Sequence, residues 1–196
     1  TVLLDNVLKP ITEARGLPNE HYVSADMYAQ ERETIFFKKW SAIAFDSDAP
    51  NPGDAFPVEF LGMPLLLVRD RAGHLNVFQN TCRHRGMILV SEPTHLKGPI
   101  RCPYHSWCYD HGGKLVRTPY VGGVGHDTHE SIKPAELGLF KIRTYIWQGV
   151  VFVNISGDAP DFETANVNLM TRWAEFEKPY FLGGKASQFE MTLNTN

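Results

Sequence analysis

The chain has 196 residues, of which 43% are hydrophobic and 21% are charged, and its formal net charge at pH 7 is −3. This composition predicts a globular protein of one domain, either of ordinary size or with extensions, and the negative charge argues against a general nucleic-acid binder. Three cysteines are too few for a disulfide scaffold, and no apolar run is long enough to span a membrane. No signal-peptide pattern opens the chain, so the sequence predicts a cytoplasmic protein with no membrane partner.

The first predicted elements are an irregular arm over residues 1–23 and a helix that follows it. Ser24 is typical of a helix N-cap and Asp26 of a first helical turn, which predicts a helix from there to about Trp40. Beyond Trp40, short β-rich runs alternate with turn residues, a pattern typical of a small sandwich or barrel. The predicted strands cover residues 41–46, 55–61, 64–69, 75–79, 87–90, 99–101, 114–117, 139–147 and 150–156.

The connections and the C-terminal part follow the same kind of pattern. Turns are predicted at residues 71–73 and 110–113, and a glycine-containing loop is predicted over residues 119–136. A second helix is predicted over residues 163–177, where apolar side chains share one face, and a final strand over residues 186–193.

Two short motifs carry the metal-binding chemistry. One is the Cys-x-His pair of Cys82 and His84, and the other is the Cys-x-x-His pair of Cys102 and His105. Structural zinc sites usually take their cysteines as one pair and their histidines as another. Here each motif mixes a thiol with an imidazole, and two histidines in place of two cysteines on one iron define a Rieske [2Fe–2S] centre. The sequence therefore predicts this cluster, with the two thiolates on one iron and the two imidazoles on the other.

The sequence around the motifs resembles a known family. The stretches CRHRG (82–86) and CPYHSWCYDHGGKL (102–115) resemble the N-terminal Rieske domain of Rieske non-haem iron oxygenase α subunits. These include ring-hydroxylating dioxygenases and quaternary-ammonium monooxygenases. With the flanks FFKKW (36–40) and WQGVVFVN (147–154), the resemblance spans roughly residues 25 to 156. It implies a mostly β fold: a Rieske-type antiparallel β-sandwich with a small cluster-binding lobe, plus an N-terminal helix.

The resemblance also implies a function. Such an oxygenase takes electrons from a reductase or ferredoxin and relays them to a mononuclear non-haem iron, which activates O₂ to oxidise a small organic substrate by mono- or dioxygenation. The resemblance implies that His105 is the electron exit toward the neighbouring α subunit. It also implies a homo-oligomer, with a trimer as the expectation. No catalytic residue and no site for the mononuclear Fe(II) is expected in this chain.

The expected organisation has three parts. Residues 1–40 are the arm and helix, residues 41–156 the Rieske [2Fe–2S] domain, and residues 157–196 a linker and the start of a truncated catalytic domain.

The His126-Asp127-Thr128-His129 cluster is interpreted as a solvated loop, and Cys108 as a small buried side chain.

Three alternatives stay open from the sequence. The chain is compatible with a stand-alone Rieske ferredoxin, which would be an electron carrier and not an enzyme. It is also compatible with a zinc-stabilised binding module. Finally, the basic residues around the two motifs either form a docking face for an acidic electron donor or the neighbouring subunit, or form a solvated rim that tempers the charge of the thiolates. These residues are Arg83, Arg85, Lys97 and Arg101.

Overall fold

A computed structural model describes residues 4–176 and 189–194 of the chain. Two antiparallel sheets, one of seven strands and one of three, form its framework, and few helices accompany them. The prediction of a mostly β, antiparallel fold with a small second lobe is confirmed. The strands are β1 Ser41–Phe45, β2 Asp54–Phe60, β3 Met63–Arg69, β4 Leu75–Gln79, β5 Thr94–His95, β6 Ile100–Arg101, β7 Cys108–Tyr109, β8 Leu115–Arg117, β9 Lys141–Trp147 and β10 Val150–Asn154.

The large sheet has the strand order β1-β10-β9-β4-β3-β2-β5, and the small sheet has the order β6-β7-β8. Two hairpins of the large sheet close through two-residue loops, Leu61-Gly62 and Gln148-Gly149, in which both residues have positive φ. This is the conformation of the type I′ turn, whose twist matches that of the flanking strands. The short loops therefore set the strand register on either side of them.

Strand β3 is buried on both faces and separates two cores. Leu65 and Leu67 point to one face of the large sheet. They pack there in a core formed with other strands of the same sheet, including β9 and β10. Leu66 and Val68 point to the other face and pack in a core that includes Trp107 of the small lobe. Because successive side chains of a strand point to opposite faces, this uninterrupted apolar run serves both cores. The second core holds the small lobe against the large sheet.

The helices lie before and after the sheets. Helix α1 spans Glu20–Val23, and α2 spans Ala25–Glu31 and continues as a π-helical turn over Arg32–Phe36. The predicted N-cap is confirmed, because the Ser24 hydroxyl accepts the Met27 N–H at 3.3 Å, whereas the helix ends at Phe36 and not near Trp40. The predicted second helix appears as α3 Phe162–Ala165, α4 Val167–Trp173 and a 3-10 turn at Ala174–Phe176; short 3-10 turns also occur at Asp46–Asp48 and Pro134–Glu136.

The strand predicted over residues 87–90 is wrong, since only an isolated bridge joins Thr81 and Ile88 there. The side-chain amide of Asn80 donates to the Val90 carbonyl at 2.7 Å and its oxygen accepts the Val90 N–H at 3.1 Å. A buried side chain therefore satisfies the backbone groups that a strand partner would otherwise satisfy.

Two other differences concern short or terminal elements. The two-residue strands β5 and β7 were not predicted, since two residues carry no periodic pattern. Of the final strand predicted over residues 186–193, residues 189–193 have no regular secondary structure and residues 186–188 lie outside the described residues. Within the described ranges, no helix has the length and apolar character needed to cross a bilayer.

Candidate metal centre

The two motifs lie on loops that close in the same way. In the first loop, residues 82–87, the Cys82 N–H donates to the Met87 carbonyl at 2.8 Å. In the second loop, residues 102–107, the Cys102 N–H donates to the Trp107 carbonyl at the same distance. In each loop the cysteine carbonyl also accepts an N–H from four residues on, at 2.9 and 3.0 Å. The two cysteines therefore begin two loops of matching backbone geometry.

The fifth residue of each loop has a left-handed backbone. It is Gly86, with φ of 69°, in the first loop and Ser106, with φ of 59°, in the second. Glycine adopts this conformation without strain, whereas serine adopts it at a cost. The Ser106 hydroxyl accepts a hydrogen bond from Arg101 at 2.9 Å, which helps to hold the residue there. Sequence reasoning missed Ser106, although its equivalence to Gly86 is visible when the two motifs are aligned on their cysteines.

The two motif cysteines bring their thiols together in the protein interior. Cys82 and Cys102 are 3% and 2% exposed and belong to the same buried core. Burial raises the pKa of the Cys82 thiol, an effect opposed by hydrogen bonds from the Tyr109 hydroxyl and the His84 backbone N–H. The Tyr109 oxygen lies 3.3 Å from Cys82 Sγ. Sequence reasoning missed Tyr109, which lies 27 residues away along the chain.

The two imidazoles form a second pair nearer the surface. The rings of His84 and His105 have centroids 4.7 Å apart and meet nearly edge to face. His84 also stacks on Trp107, and the ring centroids of His105 and Tyr104 are 3.8 Å apart. The pKa of His84 is lowered by the protein packed around its ring and by the nearby positive charges of His105 and Arg85. Both imidazoles line an open depression of about 940 Å³.

The four side chains are thus grouped by type. The two thiols lie in one buried core and the two imidazoles lie beside each other, although each motif supplies one thiol and one imidazole. Among residues 4–176 and 189–194, no three His, Cys, Asp or Glu side chains are arranged to hold one metal ion. Two thiols and two imidazoles are the protein ligands of a Rieske [2Fe–2S] cluster, with two ligands on each iron.

The basic residues near the loops differ in what they contact. Arg83 donates to the Gly138 carbonyl at 2.9 Å and its guanidinium lies over the Phe140 ring. Arg85 is exposed and makes no hydrogen bond or ion pair with any described residue. Arg101 is exposed and lines the depression beside His105. Arg83 is therefore turned toward the protein, and Arg85 and Arg101 remain on the surface.

Residues 126–129, interpreted as a solvated loop, have no regular secondary structure, and all of them except Asp127 are exposed. One carboxylate oxygen of Asp127 accepts a hydrogen bond from Arg117 Nε at 2.6 Å. The other oxygen accepts the Tyr120 N–H at 3.2 Å. The Arg117 guanidinium lowers the pKa of the Asp127 carboxyl. Cys108 is 7% exposed and its thiol donates to the Ser106 carbonyl, as expected of a small buried side chain.

Comparison with known proteins agrees with this geometry. The family model of the Rieske [2Fe-2S] domain matches residues 39–134. Biphenyl 2,3-dioxygenase subunit alpha of Rhodococcus jostii (strain RHA1) is 33% identical over 144 residues, which are 73% of this chain and 30% of that protein. The carnitine monooxygenase oxygenase subunit of Escherichia coli (strain K12) is 30% identical over 162 residues, which are 83% of this chain and 42% of that protein.

Solved structures show the same relationship. The apo form of the quaternary ammonium Rieske monooxygenase CntA has a TM-score of 0.74 at 27% identity, over 83% of this chain and 46% of that one. Naphthalene 1,2-dioxygenase from Rhodococcus sp. bound to indole has a TM-score of 0.68 at 27% identity, over 76% of this chain and 33% of that one. The chain spans less than half the length of these proteins. It contains a Rieske [2Fe–2S] domain and is homologous to ring-hydroxylating dioxygenase α subunits and to carnitine monooxygenase.

Proposed function

We propose that this chain is the electron-transfer part of an oxygenase terminal component. It accepts electrons from a reductase or ferredoxin and delivers them to a mononuclear non-haem iron in a catalytic domain outside this chain, where O₂ is activated to oxidise a small organic substrate. The observation that carries the proposal is the grouping of two buried thiols and two surface imidazoles on loops of matching geometry.

The ligand assignment follows from this grouping. Cys82 and Cys102 would hold one iron of a [2Fe–2S] cluster, and His84 and His105 would hold the other. A Rieske cluster, when bound, supplies a carrier of single electrons. The protein buries the thiols, and Tyr109 places a hydroxyl 3.3 Å from one of the two sulfurs. Hydrogen bonds to the sulfurs and solvent exposure are among the factors that set the potential of such a centre.

The position of His105 supports its role as the electron exit. Its ring lines the open depression together with the exposed ring of Tyr104, which is 58% exposed. A protein surface that enters this depression would come close to the imidazole, and the neighbouring α subunit of a homo-oligomer is the partner that we propose there. The exposed guanidinium groups of Arg85 and Arg101 nearby suit a partner with acidic residues.

The wider organisation remains part of the proposal. Residues 157–196 would lead into the domain that holds the mononuclear iron, and residues 41–156 would be the Rieske domain itself. The relatives are named for biphenyl and for carnitine, so both mono- and dioxygenation of an organic substrate are compatible with them. We place the protein in the cytoplasm, where a reducing environment keeps its three free thiols available.

The test is the content of iron, acid-labile sulfide and zinc per chain. We expect iron and sulfide in equal amounts, with the electron paramagnetic resonance (EPR) signal of a Rieske centre after reduction. Cys102→Ala and His105→Ala should each lose this signal, whereas the control His129→Ala, in the exposed 126–129 loop, should keep it. Zinc without sulfide in the wild-type protein would contradict the proposal.

A further inference from the structure

We infer that Arg83 is a positioning residue: it holds the first loop at a defined distance from the second through the shape of its guanidinium and not through its charge. This inference rests on the proposed function, in which the two loops share one cluster. Arg83 adjoins both Cys82 and His84 in sequence, so a shift of its position moves both proposed ligands of the first loop.

Three contacts hold Arg83. Its Nη1 donates to the Gly138 carbonyl at 2.9 Å, and its Cζ lies 3.8 Å from the centroid of the Phe140 ring. Its backbone N–H donates to the Tyr109 hydroxyl at 3.0 Å. A planar guanidinium stacks on a ring and donates in its own plane at the same time, which the ammonium of lysine does not reproduce.

The segment that contacts Arg83 also contacts the hairpin that follows the second loop. Leu139 is buried, and its N–H donates to the Gly113 carbonyl at 2.7 Å, in the turn that joins β7 to β8. The Phe140 carbonyl accepts the Gln79 N–H at 2.9 Å, at the end of β4. Residues 138–140 therefore connect the first loop, the hairpin that follows the second loop and the large sheet.

Arg85 provides a comparison within the same loop. It carries the same charge two residues further on, yet it is exposed and makes no hydrogen bond or ion pair with the described part of the chain. Substitution of Arg83 or Arg85 by the same residue changes the net charge equally but removes different contacts.

The experiment compares four variants of the cluster-loaded chain: Arg83→Lys, Arg83→Gln, Arg85→Lys and Arg85→Gln. The readouts are the EPR spectrum after reduction, the reduction potential and the rate at which a chelator removes iron. We expect both Arg83 variants to change the spectrum and to release iron roughly tenfold faster, the scale of one hydrogen bond plus one cation–π contact. Arg85→Lys should match the wild type, and Arg85→Gln should shift only the potential.

The lysine variants decide between shape and charge. Wild-type behaviour of Arg83→Lys, together with equal shifts in both glutamine variants, would overturn the inference because charge alone would then matter. If the Arg83 variants do not fold, Phe140→Leu removes the stacking partner while Arg83 stays in place. An unchanged spectrum and iron release in Phe140→Leu would then overturn the inference. A wild-type protein without iron and sulfide would instead refute the proposed function.

Discussion

The imidazole of His84 lies flat against the indole of Trp107, with ring centroids 4.8 Å apart and planes 9° from parallel. Trp107 is 5% exposed and belongs to the core that joins the small lobe to the large sheet. A proposed ligand of the first loop thus rests on a core residue of the second loop. Packing of the core and placement of the imidazole are consequently linked.

Replacement of Trp107 by alanine should therefore destabilise the protein and loosen His84. Loss of a buried aromatic side chain costs about 3–5 kcal/mol of unfolding free energy, and Trp107→Phe should cost less because a ring remains. Denaturant unfolding measures both values. Trp173→Ala, at a tryptophan that is 46% exposed, is the control and should cost less than half as much. Equal losses at the two positions would contradict the role given to Trp107.

Removal of the Tyr109 hydroxyl should lower the reduction potential. This oxygen accepts the Arg83 N–H, so its own proton is available to Cys82 Sγ at 3.3 Å. A donor to the sulfur favours the more negative, reduced state. Tyr109→Phe should lower the potential by about 20–60 mV, the equivalent of one hydrogen bond for a one-electron couple.

Redox titration followed by visible circular dichroism measures this change. Tyr104→Phe is the matched control, because the Tyr104 hydroxyl makes no hydrogen bond with the described residues, and its potential should equal that of the wild type. An unchanged potential in Tyr109→Phe would show that the hydroxyl does not act on the sulfur.

Two glycines with the same backbone angle should respond differently to alanine. Gly113 and Gly73 both have φ of 89°, but a Cβ on Gly113 would lie 2.5 Å from the buried ring of Phe78, whereas a Cβ on Gly73 would meet nothing within 4 Å. Gly73→Ala should cost about 1 kcal/mol from backbone strain alone. Gly113→Ala should cost about 1–3 kcal/mol more, from overpacking. Denaturant midpoints test this; equal costs would mean that Phe78 moves aside freely.

Acid should remove a contribution that Asp54 makes to stability. The His95 imidazole, 2.8 Å away, lowers the pKa of Asp54 below its usual value of 3.8 by a hydrogen bond, against the opposing effect of burial. A carboxyl with a depressed folded-state pKa stabilises the fold above its unfolded-state pKa, and this contribution is lost as the pH falls through the folded-state value.

The variant Asp54→Asn measures that contribution. It should unfold at a lower temperature than the wild type at neutral pH, and the difference should shrink as the pH drops below about 3.8. Glu59→Gln is the control, since Glu59 lies on the same strand and its carboxylate makes no hydrogen bond with the described residues. A difference that stays constant from pH 7 to pH 3 would contradict the role of the Asp54 carboxylate.

Much of this protein was predictable from the sequence because the decisive interactions are local. Each motif loop closes by hydrogen bonds within six residues, so the spacing of Cys82 to His84 and of Cys102 to His105 indicates the chemistry directly. The hairpins of the large sheet and the N-cap at Ser24 are local in the same sense. Short-range geometry of this kind can be predicted from the spacing and the types of neighbouring residues.

Only the tertiary structure decided which residues serve the site from a distance. The contact of Tyr109 with Cys82 and the hold of Gly138 and Phe140 on Arg83 join residues far apart in the chain. Nothing in the sequence separates Arg83 from Arg85, which have the same side chain and flank the same histidine. Their roles diverge because burial and hydrogen bonding depend on which strands pack together, and spacing along the chain does not specify that packing.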